Sequence, residues 1–502
     1  MQVNNVMDFL DVIVEKSPNK IGYVDSKRKI TFEEVRVEAC HIAMQLINLE
    51  IERSPIVVYI DKSIDTISSF FGIAYSGNFY TPIDTKMPHE RIELIIDTLN
   101  PKAVITDEEH YADAQKLFNC PIFCYGQMQE NTIAYSTIDK YKNSVISTDV
   151  LYVLFTSGST GIPKGVMITH GAVINYTGWL SGKFGIDDRQ VIGNEAPLYF
   201  DLSIQDIYCP IYTGCTTVLL DKSLFSFPMK LMEALCDNNV SMIDWVPSAL
   251  CLVANLRGLR LKKLPALQKI MFCGEVMPVK QLNMWIDAFP EAMVVNLYGP
   301  TEACDACAYY IVNKKFDINE TLPLGFPAEN TRICLFDENN RILEKNVNGE
   351  ICISGVALSC GYYDDPQKTE HMFVRNPENW SEIMYRTGDL AYYNDNDELV
   401  YVSRIDSQIK RMGHRIELGE IETAASSVEG IEQCCCVFYE AKQELVLYYV
   451  GKTDNENLHA KLTQKLQDYM VPSSIIKLKN MPYNMNGKVD RQLLRKQTEG
   501  KG

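Results

Sequence analysis

The sequence predicts an α/β protein: a large N-terminal part built of strands and helices in alternation, followed by a small α+β domain. Three observations carry this. Short apolar strands alternate with amphipathic stretches up to about residue 400, as in α/β sheets. After Arg404 the texture changes to a helix, two strands and a second helix. At 502 residues the chain also exceeds the size at which a single core stops growing, so two or more domains are expected.

The elements follow in order. "LYVLFTS" reads as a buried strand and "ITHGAVINYTGWL" as a helix after the loop between them. "LQKIMFCGE" and "AMVVNLYGPTE" repeat the arrangement, each an apolar strand breaking into a glycine-containing loop. Loops at the carboxyl ends of strands are where open α/β sheets bind ligands, so these three loops point to one crevice. "SRIDSQIK" is a linker candidate. "ELGEIETAASSVEG" reads as a helix closed by Gly430, "CCCVFYEAKQELVLYYV" as two strands, and "LHAKLTQKLQDYM" as a helix stopping before Pro472. There is no long low-complexity segment and no convincing repeat.

Composition narrows the function. A chain 46% hydrophobic and 23% charged has enough apolar residues for a substantial core. Its net charge of −17 argues against a sequence-independent grip on nucleic acid or on an anionic membrane, while leaving room for a local phosphate pocket. Apolar runs such as "CLVANL" are far too short to span a bilayer, and the N-terminus lacks the basic start and apolar stretch of a signal peptide. A soluble, cytoplasmic protein is expected. The sixteen cysteines are scattered, and Cys304 with Cys307 forms a lone C-x-x-C without a second pair, so reduced thiols are expected rather than zinc ligands.

The loop in "LYVLFTSGSTGIPKGVMITH" holds the chemistry. A Walker loop needs glycine before its lysine and serine or threonine after it. Here Lys164 is flanked by Pro163 and Gly165, so that fold of phosphate site is excluded. What remains is a run of small residues, Thr156 to Gly161, rich in backbone N–H groups and hydroxyls that can surround phosphate oxygens. A plain turn has the same composition, and the residues alone leave both readings open.

The loop "LFTSGSTGIPKGV" resembles the signature of the adenylate-forming superfamily: acyl-CoA synthetases, luciferases and the amino-acid adenylation domains of nonribosomal peptide synthesis. "ITFEEV", "YTPIDTKMPHERI", "LYFDLSIQDIY", "NLYGPTE", "YRTGDL", "SRIDSQIKRMGHRIELGEIE" and "NGKVDR" are similar to further family segments and stand in the family's order. "IMFCGEVMP" and "FDLSIQDIY" are most similar to free-standing amino-acid adenylation enzymes of the D-alanine:carrier-protein ligase type. The resemblance implies mixed sheets in a core domain over residues 1–403, a hinge at 404–406, and a mobile small domain over 407–502.

It also implies ATP and Mg2+ as cofactors, and two half-reactions. An amino-acid carboxylate would attack the α-phosphorus of ATP and release pyrophosphate; the acyl group would then pass to the phosphopantetheine thiol of a separate carrier protein. Two anions must meet in the first step, so positive charge and positioning are needed. By the resemblance Lys488 would bridge carboxylate and nucleotide, with Asn486 and Gly487 letting its turn reach inward. Glu302 would hold the metal, Thr301 would add a hydroxyl to phosphate, and Tyr298 and Gly299 would meet adenine. Asp389 would accept the ribose hydroxyls with Arg404 nearby, and Thr156, Ser157, Gly158, Ser159, Thr160, Gly161 and Lys164 would meet the departing phosphates. Asp406 falls at the family's hinge residue. Ser403, Arg411, Met412 and His414 depart from the usual family residues around the thiol tunnel.

Asp201 matches the aspartate that pairs with the substrate α-ammonium in amino-acid-activating members; the competing reading is a helix cap at an Asp-Leu-Ser turn. Leu202, Gln205, Asp244, Met271, Cys273, Gly274, Leu297, Asp305 and Ala306 map to the side-chain pocket. Cys273 is similar to the D-alanine enzymes, whereas Asp244 and Asp305 favour a side chain with a donor or a positive charge. The expected function is therefore adenylation of an amino acid and its loading on a separate carrier. The alternatives are D-alanine loading for teichoic acid, an acyl-CoA synthetase, and a non-catalytic nucleotide-binding protein. No nucleic acid and no membrane insertion are expected.

Overall fold

The computed structural model describes residues 3–130, 132–158, 161–483 and 489–499. It divides into two compact units, one of residues 1–85, 99–154 and 165–405, the other of residues 86–98, 155–164 and 406–502. Among the described residues the strands form five sheets, of nine, six, five, three and two strands.

The nine-stranded sheet positions the substrate residues. Its middle strands are β1 (Val191–Asn194), β2 (Thr216–Leu219), β3 (Met242–Trp245), β4 (Lys269–Phe272) and β5 (Met293–Tyr298). They lie in the spatial order β5-β4-β3-β1-β2 and are all parallel. Beyond β5 the sheet turns antiparallel through β6 (Ala308–Val312), so it is mixed, as expected. β3 and β4 are buried along their whole length, the continuous apolar pattern of a parallel sheet covered on both faces. Trp245 and Trp285 are buried in this core, and each indole N–H finds a backbone carbonyl, Gly193 at 2.8 Å and Leu250 at 3.0 Å.

The expected strand "LYVLFTS" is Val150–Thr156, and the expected helix after the loop is α1 (His170–Phe184). Thr169 caps α1 by accepting from the Ala172 N–H, and Gly185 ends it in the left-handed conformation. Helix α2 (Ile204–Thr213) is closed in the same way by Gly214. In the five-stranded sheet, the long strand β7 (Ile383–Tyr393) pairs antiparallel with β8 (Leu399–Arg404).

The second unit carries the three-stranded sheet, in which Ile431–Tyr439 and Glu444–Gly451 pair antiparallel, and the helix Leu418–Ser426. Leu418, Ile421, Cys436, Leu447, Leu458 and Leu462 share its core. The expected second helix ends early, at Lys465, because Leu466 is extended; Asp468–Met470 is a separate turn that still buries Met470. The linker candidate "SRIDSQIK" is mostly strand: Ser403 and Arg404 end β8, and Gln408–Arg411 pairs with His414–Glu417. Asp406 opens the last stretch of the second unit, and its Oδ1 accepts from the Gln408 N–H at 3.1 Å.

Candidate active site

Four groups converge at the β7–β8 pair and the end of β5. Asp389 stands directly opposite Arg404 across the two antiparallel strands. Arg404 Nη1 donates to Asp389 Oδ1 at 2.7 Å and Nη2 to the Thr387 carbonyl at 3.1 Å. The Tyr298 hydroxyl donates to the other carboxylate oxygen at 2.6 Å. The Thr387 hydroxyl accepts from the Asp389 N–H at 3.0 Å and so pins the backbone beneath it. Burial, then the Asp389 charge, pushes the Tyr298 hydroxyl well above its usual range. The side chains of Asp389 and Arg404 are 4% and 10% exposed, so this is a buried, hydrogen-bonded ion pair.

Directly after β5 comes a one-turn helix, Thr301–Ala303. Glu302 is fully buried; the Tyr362 hydroxyl donates to its Oε1 at 2.8 Å, and its carbonyl accepts from the Ser359 N–H at 2.8 Å. Gly299 has to be glycine, since a Cβ there would collide with the Asp305 carbonyl. That close approach folds the loop back, with Cys304 and Asp305 in the left-handed region at φ 54° and 75°. Consecutive non-glycine residues in that region store strain, which is commonly held at functional sites.

Asp201 opens the short turn Asp201–Ser203 ahead of α2 and is half-buried. Its Oδ1 accepts from the Leu202 N–H at 3.0 Å, a local bond within the turn. Its charge acts on both Tyr152 and Cys304, which approach each other at 3.9 Å. Leu202, Gln205, Asp244, Met271, Cys273, Leu297, Asp305 and Ala306 are all buried, and Gly274 follows β4 with φ 98°. Gln205 Nε2 donates to Asp244 Oδ2 at 2.6 Å, and the Tyr176 hydroxyl on α1 donates to Asp305 Oδ2 at 2.5 Å.

The phosphate-loop residues fall in the second unit. The Ser157 hydroxyl donates to the Arg415 carbonyl at 2.6 Å. Gly161 has φ 86°, Lys164 is buried, and the Thr156 hydroxyl is buried with no hydrogen-bond partner among the described residues. Ser159, Thr160, Asn486, Gly487 and Lys488 lie outside the described residues.

Tyr362, Thr387 and Tyr176 were missed by sequence reasoning. "GYYDDP" contains no pattern that singles out Tyr362, and Tyr176 sits on an apolar helix face, where an aromatic reads as core. Thr387 alone had a signal, as the residue inside "YRTGDL" two positions before Asp389.

The AMP-binding enzyme family matches residues 10–363, and its C-terminal domain matches residues 420–488. The chain belongs to the AMP-binding enzyme family. The expected place in the adenylate-forming superfamily is thereby borne out. It is 32% identical over 498 residues to a D-alanine–D-alanyl carrier protein ligase of Bacillus cytotoxicus, covering 95% of this chain and 96% of the ligase. It is 29% identical over 503 residues to tyrocidine synthase 1 of Brevibacillus parabrevis, covering 98% of this chain but only 45% of that synthase. Among solved structures, the Vibrio cholerae adenylation domain AlmE in complex with glycyl-adenosine-5'-phosphate shares its fold, with a TM-score of 0.86 at 19% identity over 100% of this chain and 98% of that one. No helix among the described residues of this AMP-binding enzyme is long and apolar enough to cross a membrane.

Proposed function

We propose that this AMP-binding enzyme activates an amino acid as its adenylate and transfers it to the phosphopantetheine thiol of a separate carrier protein. The observation that carries the reading is Asp201: a half-buried carboxylate at the start of the turn ahead of α2, its charge acting on Tyr152 and Cys304. An α-ammonium is the substrate group that such a carboxylate would pair with. Relatives that are D-alanine–D-alanyl carrier protein ligases support a carrier protein as the acceptor.

Asp389, held between Tyr298 and Arg404, would present its carboxylate to the ribose hydroxyls, with the tyrosine ring available to the base. Lys164 and the small-residue loop would meet the departing pyrophosphate, and Lys488 would bring the two anions together. Magnesium needs one or two protein carboxylates when substrate phosphates fill the rest of its shell, so Glu302, anchored by Tyr362 in a buried loop, fits as its holder. The metal would neutralise phosphate charge there.

D-alanine is the second reading, favoured by Cys273, which is buried just beyond β4 as a small wall. ATP–pyrophosphate exchange across L- and D-amino acids, β-alanine and acids without an amino group tests both. Exchange is expected with an amino acid, falling about 1000-fold or more in Lys488→Ala. Exchange only with acids lacking the amino group overturns the assignment of Asp201.

A further inference from the structure

The side-chain end of the site is built from acceptors whose donors are missing. β3, β4 and β5 are parallel and adjacent, with Asp244 opposite Met271 and Met271 opposite Val295. On its other side Asp244 faces Asn194 of β1. Asp244 and Gln205 are both wholly buried, and they hydrogen-bond to each other through Gln205 Nε2 and Asp244 Oδ2. Each has a second acceptor atom, Asp244 Oδ1 and Gln205 Oε1, and neither atom has a hydrogen-bond partner among the described residues. Leaving a buried acceptor unmade costs about 1–3 kcal/mol, more for a charged group, and here two such atoms belong to one bonded pair. Asp305, 3% exposed and held by Tyr176, adds a second carboxylate close enough for both acids to act on the Tyr176 hydroxyl.

The chemistry that completes such a cluster is narrow. An apolar side chain would leave both acceptors unmade, and a carboxylate would add a third negative charge. An ammonium brings three donors and a guanidinium five, each with the compensating charge. We propose that the substrate of this AMP-binding enzyme is an amino acid whose side chain ends in an ammonium or guanidinium group, held by Asp244, Gln205 and Asp305. This rests on the reading of the chain as an amino-acid adenylating enzyme.

Burial first, and then the neighbouring Asp305 and Asp206, hold the Asp244 carboxyl well above the usual carboxylate range. Glu195 acts in the same direction, and the Gln205 hydrogen bond opposes it. A cation beside Asp244 would favour its ionised form and so oppose the effect of burial.

The test is ATP–pyrophosphate exchange by the full chain with lysine, ornithine, 2,4-diaminobutyrate and arginine in both configurations, set against alanine, norleucine, glutamine and glutamate. One cationic acid is expected to exceed norleucine and alanine by about 100-fold or more in kcat/KM. Asp244→Asn is expected to remove most of that advantage, read as the ratio of kcat/KM for the cationic acid to kcat/KM for norleucine. Should Asp244→Asn fail to fold, Gln205→Leu tests the same loss of selectivity. A wild-type preference for alanine or any neutral amino acid overturns the cationic assignment and leaves amino-acid adenylation standing. No exchange with any amino acid overturns both.

Discussion

The two ends of the site in the first unit handle buried charge in opposite ways. At the end of β5 and along β7–β8, Asp389 has both oxygens engaged, one by Tyr298 and one by Arg404, and Glu302 is anchored by Tyr362. Between β3 and α2, Asp244 has one oxygen engaged by a neutral amide and one by nothing among the described residues. On the proposed function Asp389 and Glu302 would meet the same nucleotide in every turnover, and such groups can be held rigid by the protein itself. On the proposed specificity Asp244 would select the substrate by remaining incomplete until the right side chain arrives, because an unmade buried acceptor penalises every wrong one.

The largest effect that would break this contrast is expected at Asp389. Asp389→Ala removes the partner of a guanidinium that is 10% exposed, which destabilises the fold by about 3 kcal/mol. It should also raise the KM for ATP by about 10- to 100-fold whichever amino acid is used. Chemical denaturation and exchange kinetics check the two arms, and an effect confined to one amino acid would erase the distinction between the ends.

Asp244→Asn should do the reverse and stabilise the free protein by about 1–3 kcal/mol at neutral pH. The sign follows from the raised carboxyl. The unfolded chain releases this proton near pH 3.8 while the folded chain keeps it, so wild-type stability is full below that pH and is lost as pH rises above it toward the raised folded value. The facing groups Asp305, Asp206 and Glu195 remain in the variant, so the difference isolates residue 244. Denaturant melts of both proteins from pH 4 to 8 should diverge with rising pH; parallel curves would mean that Asp244 is not held neutral by its surroundings.

The smallest effect is expected at Tyr362→Phe, which removes one hydrogen bond to Glu302 and leaves a buried carboxylate oxygen short of a donor. A loss of about 1–2 kcal/mol in stability and about tenfold in exchange rate is expected, independent of the amino acid offered. A change in amino-acid preference here would show that the two ends are coupled.

Much of this was legible in the residues. The strands at "LYVLFTS", "LQKIMFCGE" and "AMVVNLYGPTE" are continuous apolar runs broken by glycine, a pattern local enough to read without the fold. Thr169 and Gly185 likewise bracket α1 by purely local chemistry. Within the linker candidate "SRIDSQIK" the division between the two units falls at Ile405 and Asp406, while Ser403 and Arg404 continue β8 by pairing with β7, a contact set by residues more than ten positions away. "LHAKLTQKLQDYM" was read too long: its propensity continues past Lys465, but Leu466 turns extended.

The sequence by itself determined which residues could do the chemistry, because loop composition, glycine placement and motif order are properties of neighbours along the chain. Only the tertiary structure decided which of them are satisfied. Whether Asp389 meets Arg404 and Tyr298, whether Glu302 finds Tyr362, and whether an Asp244 oxygen finds a partner among the described residues depend on strands and loops far apart in sequence. Burial turns those pairings into energy, since a carboxylate that water would solvate anywhere on the surface must be answered inside by a particular donor or left waiting for one.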